Sequence, residues 1–169
     1  MSTESSTGSS TGSSTGSDTA AAATAPAPAP VRAFSGVSVG DVLPPLTVHV
    51  DRARLVQYAG ASLDRNRIHW DEPFAKQVGL PDVIAHGMFT MGSAVTLVTD
   101  WAGDAGRVVE YGVRFTKPVV VPYDTGADIE VSGVVKSADP QTRRVTVELT
   151  ATSGGEKVLG RALAVVALD

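Results

Sequence analysis

The chain contains no cysteine, which excludes disulfide scaffolds, thiolate nucleophiles and cysteine-ligated zinc. It has only three histidines, His49, His69 and His86, and aromatic residues make up 5% of its 169 residues. No apolar run approaches the length of a bilayer span. The first residues lack the basic start and apolar stretch of a signal peptide. Basic charge is also scarce: 14 Lys and Arg face 18 Asp and Glu, a formal net charge of −4. Without a basic stripe, neither nucleic acid nor a membrane surface is expected as a partner. These absences predict a soluble, cytoplasmic domain acting on something small or on another protein.

What is present falls into two parts. Residues 1–30 hold only Ser, Thr, Gly, Ala and Pro apart from Met1, Glu4 and Asp18. Ser-Ser-Thr-Gly repeats at 5–8, 9–12 and 13–16, and Ala-Pro alternation follows up to Pro30. Such a stretch buries too little apolar surface to offset its ordering entropy, so a disordered, solubilising tail is expected. Residues 31–169 have the usual size of one domain and can bury a core without staples.

Within that domain the hydrophobic period changes from helical to extended. Leu46–Val50 reads as a short strand. Asp51 suits the N-cap of a helix from Arg52 to about Tyr58, ending near Gly60. Asp71 or Glu72 opens a short helix with Pro73 in its first turn, closed by Gly79 and Pro81. The longest helical pattern runs from about His86 to Trp101. Met88, Met91, Val95 and Val98 recur at spacings of three and four, and almost no charge interrupts them. A helix apolar nearly all round is expected in the core, and the Met and Val stripe is assigned there. After Gly106 the period becomes two, over Val109–Phe115, around Ile129–Val135, over Val145–Ala151 and over Val158–Leu168. Turn signals separate the later runs, so the sheet should be antiparallel. One buried helix followed by a series of strands defines an α+β domain, the sheet wrapped on the helix.

Residues able to do chemistry concentrate in two places. In the polar stretch 62–70, Asp64, Asn66 and His69 lie close together. A carboxylate and an imidazole converging there can hold a water or a hydroxyl and move protons in both directions. Further along, His86-Gly87 opens the long helix, whose first N–H groups lack intrahelical acceptors and carry partial positive charge. Glycine there permits close approach of a ligand to the backbone, as stabilisation of an enolate-like oxygen requires. The His86 side chain itself reads as a cap or a core histidine, and His49 as solvent-facing or locally packed. The histidine spacings are not those of a zinc site, and there is no nucleophile elbow or glycine-rich phosphate loop. No metal and no cofactor are expected.

The stretch Tyr58-Ala-Gly-Ala-Ser-Leu-Asp64-Arg-Asn66-Arg-Ile-His69-Trp-Asp resembles the hydratase signature of the MaoC-like dehydratases, whose core reads Ser-Gly-Asp-x-Asn-Pro-Ile-His. Gly79-Leu-Pro-Asp-Val-Ile-Ala-His86-Gly87-Met88 resembles the family's second motif, and Val109-Glu-Tyr-Gly-Val-Arg-Phe-Thr-Lys-Pro118 its following strand. Within the family the similarity is strongest to the (3R)-hydroxyacyl-thioester dehydratases of type II fatty acid synthesis. The resemblance covers about Phe34 to Leu168 and implies a hot-dog fold, an antiparallel β-sheet wrapped around a long central helix. It implies reversible hydration of trans-2-enoyl thioesters to (3R)-hydroxyacyl thioesters, carried by acyl-CoA or an acyl carrier protein. It also implies a homodimer, or a heterodimer with a related hot-dog chain. By the same resemblance Asp64 and His69 form the catalytic pair, Asn66 supports the loop, and the Gly87 N–H supplies the oxyanion hole; His86 is expected beside them in a supporting, structural role. Which of the pair handles which proton stays open at this level. A non-catalytic acyl-binding subunit that supports an active partner is the alternative, and a thioesterase on the same fold a third. Two positions depart from the pattern. Leu63 replaces the glycine before the aspartate and would be strained at a positive φ. Arg67 replaces the proline before Ile-His, which should loosen the loop; its side chain would be solvated, or would meet the phosphates of the thioester arm.

Overall fold

The computed structural model describes residues 30–169. The expected disordered tail lies, except for Pro30, outside the described residues. Five strands and three α-helices follow in the order β1 (Val42–Val50), α1 (Arg52–Ser62), α2 (Glu72–Gln77), α3 (Gly87–Ala102), β2 (Val108–Phe115), β3 (Ala127–Asp139), β4 (Arg144–Ser153) and β5 (Glu156–Ala167). The strands form one sheet in the order β1-β3-β4-β5-β2, every neighbouring pair antiparallel. This is the hot-dog arrangement, with α3 lying along one face of the curved sheet.

Local chemistry explains most boundaries. Asp51 and Asp71 cap α1 and α2, their carboxylates accepting from the backbone N–H groups of Arg54 (2.8 Å) and Phe74 (3.1 Å). The β4–β5 hairpin turns at Gly154-Gly155, both at positive φ, as a tight two-residue turn demands. Strand β1 begins earlier than the sequence pattern suggests and runs through Pro44-Pro45. Those prolines fall at a register irregularity between Leu43 and Leu46 on an edge strand, where a missing N–H breaks no ladder. Helix α1 passes Gly60 and stops at Ser62, where Leu63 turns left-handed.

The core lies between α3 and the sheet. Alternate residues of β3, β4 and β5, among them Ile129, Val131, Val147, Leu149, Ala164 and Val166, meet Ala94, Leu97, Val98 and Trp101 of α3. The expected Met and Val core stripe is corrected here. Only Val98 of the four is buried; Met88 is 59% exposed, and Met91 and Val95 are half-buried. The helix buries only the side that faces the sheet, and among the described residues nothing covers Met88 on the other. Edge strand β2 and its neighbour β5 likewise leave Val109, Phe115 and Leu163 exposed. His49 sits on the surface, with Nδ1 2.7 Å from the Asp128 carboxylate. Among the described residues no helix is long and apolar enough to cross a membrane.

Candidate active site

Among the described residues the buried polar side chains are His69, His86 and Thr90. His86 and Thr90 lie at the start of α3, and His69 packs against His86 from the polar loop after α1. Burying an imidazole or a hydroxyl costs free energy unless it is hydrogen-bonded, so their gathering marks the place where polar groups are held for use.

The loop is built from short local bonds. At the end of α1, Leu63 adopts φ 62° and ψ 9°, so the glycine-like conformation is kept without the glycine. The Ser62 hydroxyl donates to the Tyr58 carbonyl (2.7 Å) and accepts from the Asp64 N–H (3.2 Å). One Asp64 carboxylate oxygen accepts from the Asn66 N–H (3.2 Å), and the Asn66 side-chain oxygen accepts from the Ile68 N–H (3.3 Å). A 3-10 turn over Arg67–His69 then carries His69 inward. Arg67 does not leave the loop slack. Its guanidinium donates to Asp71 (2.6 and 3.0 Å) and lies over the Phe74 ring at 4.3 Å, tying the loop to α2. The bonds from Arg67 hold the Asp71 carboxyl below the usual carboxylate range.

The segment before α3 completes the site. The Ile84 N–H donates to the Ile68 carbonyl (3.1 Å), and His69 Nδ1 lies 2.7 Å from the Ile84 carbonyl. A carbonyl only accepts, so Nδ1 carries the proton and Nε2 of the neutral ring offers a lone pair. Burial pushes the His69 pKa below the ordinary 6.5, and the nearby His86 ring adds to this. The Ile84 bond and the Asp64 carboxylate oppose the shift without cancelling it. His69 is therefore neutral at neutral pH. Its Nε2 stands 4.0 Å from the outer oxygen of Asp64, whose side chain is more than half exposed. That distance is too long for a direct hydrogen bond and leaves room for one hydroxyl group between the two.

Gly87 is the first residue of α3, so its N–H is one of the helix donors without an intrahelical acceptor. A Cβ at this position would lie 3.2 Å from the Phe115 ring, so only glycine fits beneath that ring without displacing it. Gly87, His69, Thr90, Ile68, Ile84 and Phe115 contribute to the lining of an open cleft of about 350 Å³. Of the residues the sequence pattern singles out, Asp64, His69 and His86 cluster beside the start of α3 at Gly87, and Asn66 stays in the loop that carries Asp64, bonded to the Ile68 N–H. The pattern does not single out Thr90, Phe115 or the Ile84 carbonyl. Phe115 sits inside an ordinary strand alternation, and a backbone carbonyl has no signature in sequence.

Asp64, His69 and His86 also bring possible ligand atoms within 4.8 Å of one another. The two rings, however, are stacked at 3.7 Å with an interplanar angle of 23°. Imidazole lone pairs lie in the ring plane, so near-parallel rings direct them side by side. They do not converge on one point at about 2.1 Å from both nitrogens, as coordination requires. The arrangement suits proton transfer better than metal binding.

Fold and site thus define a hot-dog domain with an aspartate–histidine pair beside a helix N-terminus. Residues 37–154 match the family model described as MaoC like domain, and the chain belongs to that family. It is 39% identical over 83 residues to 3-hydroxyacyl-thioester dehydratase X of Mycobacterium tuberculosis, covering 49% of this chain and 29% of that protein. It is 32% identical over 112 residues to the (R)-specific enoyl-CoA hydratase of Rhodospirillum rubrum, covering 65% of this chain and 74% of that protein. A solved MaoC-like dehydratase superposes with a TM-score of 0.80 at 47% identity, over 82% of this chain and 43% of that one. The chain therefore spans less than half of the mycobacterial dehydratase and of that solved structure, and about three quarters of the Rhodospirillum hydratase.

Proposed function

We propose that this chain is a (3R)-specific hydratase and dehydratase that interconverts trans-2-enoyl and (3R)-hydroxyacyl thioesters of CoA or an acyl carrier protein. The observation that carries this reading is the juxtaposition of an unprotonated His69 Nε2, a carboxylate oxygen 4.0 Å away and a free helix N–H at Gly87. The names of the relatives point to the same reaction.

In the hydration direction a water between the pair donates one O–H to His69 Nε2 and the other to Asp64. Its oxygen attacks C3 as His69 takes the first proton. The alkene electron pair moves through C2 onto the thioester oxygen, giving an enolate. The Gly87 N–H and the positive end of α3 face that charge; one such donor is worth about 3–4 kcal/mol of barrier. Asp64 stabilises the imidazolium, as Asn66 holds the loop that carries it. When the enolate collapses, C2 takes the proton back from His69, so the net addition is one water. Dehydration runs the same steps in reverse. The acyl chain would run against Ile68, Ile84, Phe115 and Val158, apolar residues that line the cleft.

The apolar residues left outside, Met88 on α3 and Val109 and Leu163 by edge strand β2, support assembly with a second hot-dog chain, identical or related. Action in the cytoplasm belongs to the same reading.

The test is loss of enoyl-thioester absorbance when the protein meets crotonyl-CoA and longer enoyl thioesters, beside Asp64→Asn and His69→Gln. Turnover that collapses by about 10²-fold or more in both variants is expected, since each removes a group acting on the transferred proton. Release of free thiol in place of hydration would make the chain a thioesterase. No turnover with any chain length, alone or with a related partner chain, would leave a non-catalytic acyl-binding subunit.

A further inference from the structure

His86 is only 1% exposed, yet it caps nothing: its side chain makes no bond to the first turn of α3. Its Nε2 lies 3.0 Å from the Asp64 backbone carbonyl, and because a carbonyl only accepts, Nε2 carries a proton and donates it. Its ring is stacked on the His69 ring at 3.7 Å. The Tyr58 ring of α1 lies tilted against it at 4.9 Å. Its own carbonyl accepts the Thr90 N–H (3.1 Å) and closes the first turn of α3, which begins with Gly87. One residue thus touches each of the three catalytic groups in a different way: a hydrogen bond to the backbone of Asp64, a ring stack on His69 and a peptide bond to Gly87. A histidine that merely filled space would need none of these in combination. A second feature points the same way. His86 Nδ1 is buried with no hydrogen-bond partner among the described residues, a cost accepted for holding Nε2 on the Asp64 carbonyl.

We propose that His86 is a positioning residue of the reaction proposed above, its ring holding the Asp64–His69 pair at reacting distance from the Gly87 N–H. This rests on the hydratase reading. The loop is shaped internally by the turns at Asp64 and Asn66, and His69 is anchored from behind by the Ile84 carbonyl. The Nε2 bond of His86 directly ties the Asp64 backbone to the residue that opens α3. Without it the carboxylate is free to drift from the base and from the oxyanion donor. Electrostatics adds a second effect, because the His86 ring is one of the influences that hold His69 below the ordinary histidine range. The other groups facing His69 are the Asp64 carboxylate and the Ile84 carbonyl. Tyr58 faces His86 from α1, and Lys117 on the same cleft is paired with Glu156 at 2.5 Å.

The experiment compares His86→Phe and His86→Gln in the full chain. Phenylalanine keeps a ring against His69 but has no donor; glutamine keeps a donor that can reach the Asp64 carbonyl. The readouts are kcat and KM for crotonyl-CoA, the pH profile of kcat/KM, the thermal midpoint and an NMR titration of the His69 imidazole. His86→Phe is expected to lower kcat by about ten- to a hundredfold, the range that a displacement near 1 Å produces, with KM little changed. His86→Gln is expected to recover most of that loss. In His86→Gln, which keeps the carboxylate in place, the His69 titration, and the acid limb with it, moves to higher pH, because a neighbour that opposes its protonation is gone; in His86→Phe the drift of the Asp64 carboxylate offsets that rise. Variants with an altered thermal midpoint but unchanged kcat and unchanged His69 titration would overturn the proposal and leave a core histidine. If His86→Phe does not fold, His86→Gln and its titration decide alone. Absence of turnover in the unaltered protein would sink the hydratase reading; an unmoved His69 titration in His86→Gln would sink this one.

Discussion

Replacing Gly87 by alanine adds one methyl group at the point where α3, the cleft and Phe115 meet. The added carbon would lie 3.2 Å from the ring, against an ordinary contact of about 3.5–4.0 Å, so a few tenths of an ångström must be found. Overpacking in a tight core costs about 1–3 kcal/mol, and this site belongs at the low end because the ring, 51% exposed, can swing outward. Alanine is also the better helix former, by up to about 1 kcal/mol. The two effects nearly cancel, so the thermal midpoint of Gly87→Ala should stay within a few degrees of the parent, on the order of 0–1 kcal/mol. Activity should not be spared. The methyl and the displaced ring both crowd the N–H proposed to face the developing oxyanion, and loss of such a donor costs about 10²–10³ in kcat. A partial displacement predicts a fall in kcat of about tenfold, and in the Phe115→Ala background the same change should cost distinctly less, a coupling of about 1 kcal/mol. The assay is enoyl-thioester hydration for the four proteins of the cycle, with thermal melts alongside. Undiminished activity in Gly87→Ala would refute the oxyanion role of this backbone. An equal loss with and without the Phe115 ring would refute the part assigned to the ring.

Two further outcomes follow from the same geometry. His69 is held below its ordinary pKa of 6.5 by burial, so below pH 6.5 the unfolded chain binds a proton that the folded chain resists. This group's contribution is fully present above pH 6.5 and is lost as pH falls through the folded value. Urea midpoints should decline on acidification from pH 7 and decline less in His69→Gln, whereas equal slopes would mean that His69 titrates as an exposed histidine. At Leu63, glycine would relieve a left-handed backbone cost of roughly 1–2 kcal/mol while adding about 0.5–1 kcal/mol of chain flexibility. The side chain is 71% exposed and loses little burial, so Leu63→Gly should raise the thermal midpoint slightly and leave kcat intact. A lower midpoint would show that the Leu63 side chain makes a contact of consequence.

The loop of the site was legible in sequence because its bonds are local. Asp64 reaches the Asn66 N–H and Asn66 the Ile68 N–H, each two residues on, and the departure at Leu63 shows in the backbone as the positive φ that a glycine would have supplied. Asp51 and Asp71 were readable as caps for the same reason, and so were the strands, whose period of two reflects a sheet with one buried face. Arg67 was half legible. Its identity marks the lost proline, but its ion pair with Asp71 depends on the side chain folding back across a helical turn. The α3 stripe was misread because periodicity reports an apolar face and not what covers it. The sheet takes the Ala94, Leu97 and Val98 side and leaves Met88 outside.

Sequence alone, then, determined the fold class and the shape of the loop, and it named the residues proposed to react, since periodicity, turns and caps depend on residues within a few positions of one another. Only the tertiary structure decided how those groups are prepared to react. The Ile84 carbonyl, 15 residues from His69, sets which imidazole nitrogen keeps its lone pair. His86, 22 residues from Asp64, grips the loop from behind, and Phe115 comes from a separate strand to lie over Gly87. Desolvation, the main cause of the neutral His69, arises only when the sheet, the loop and α3 close around the ring, and no spacing in the chain records it.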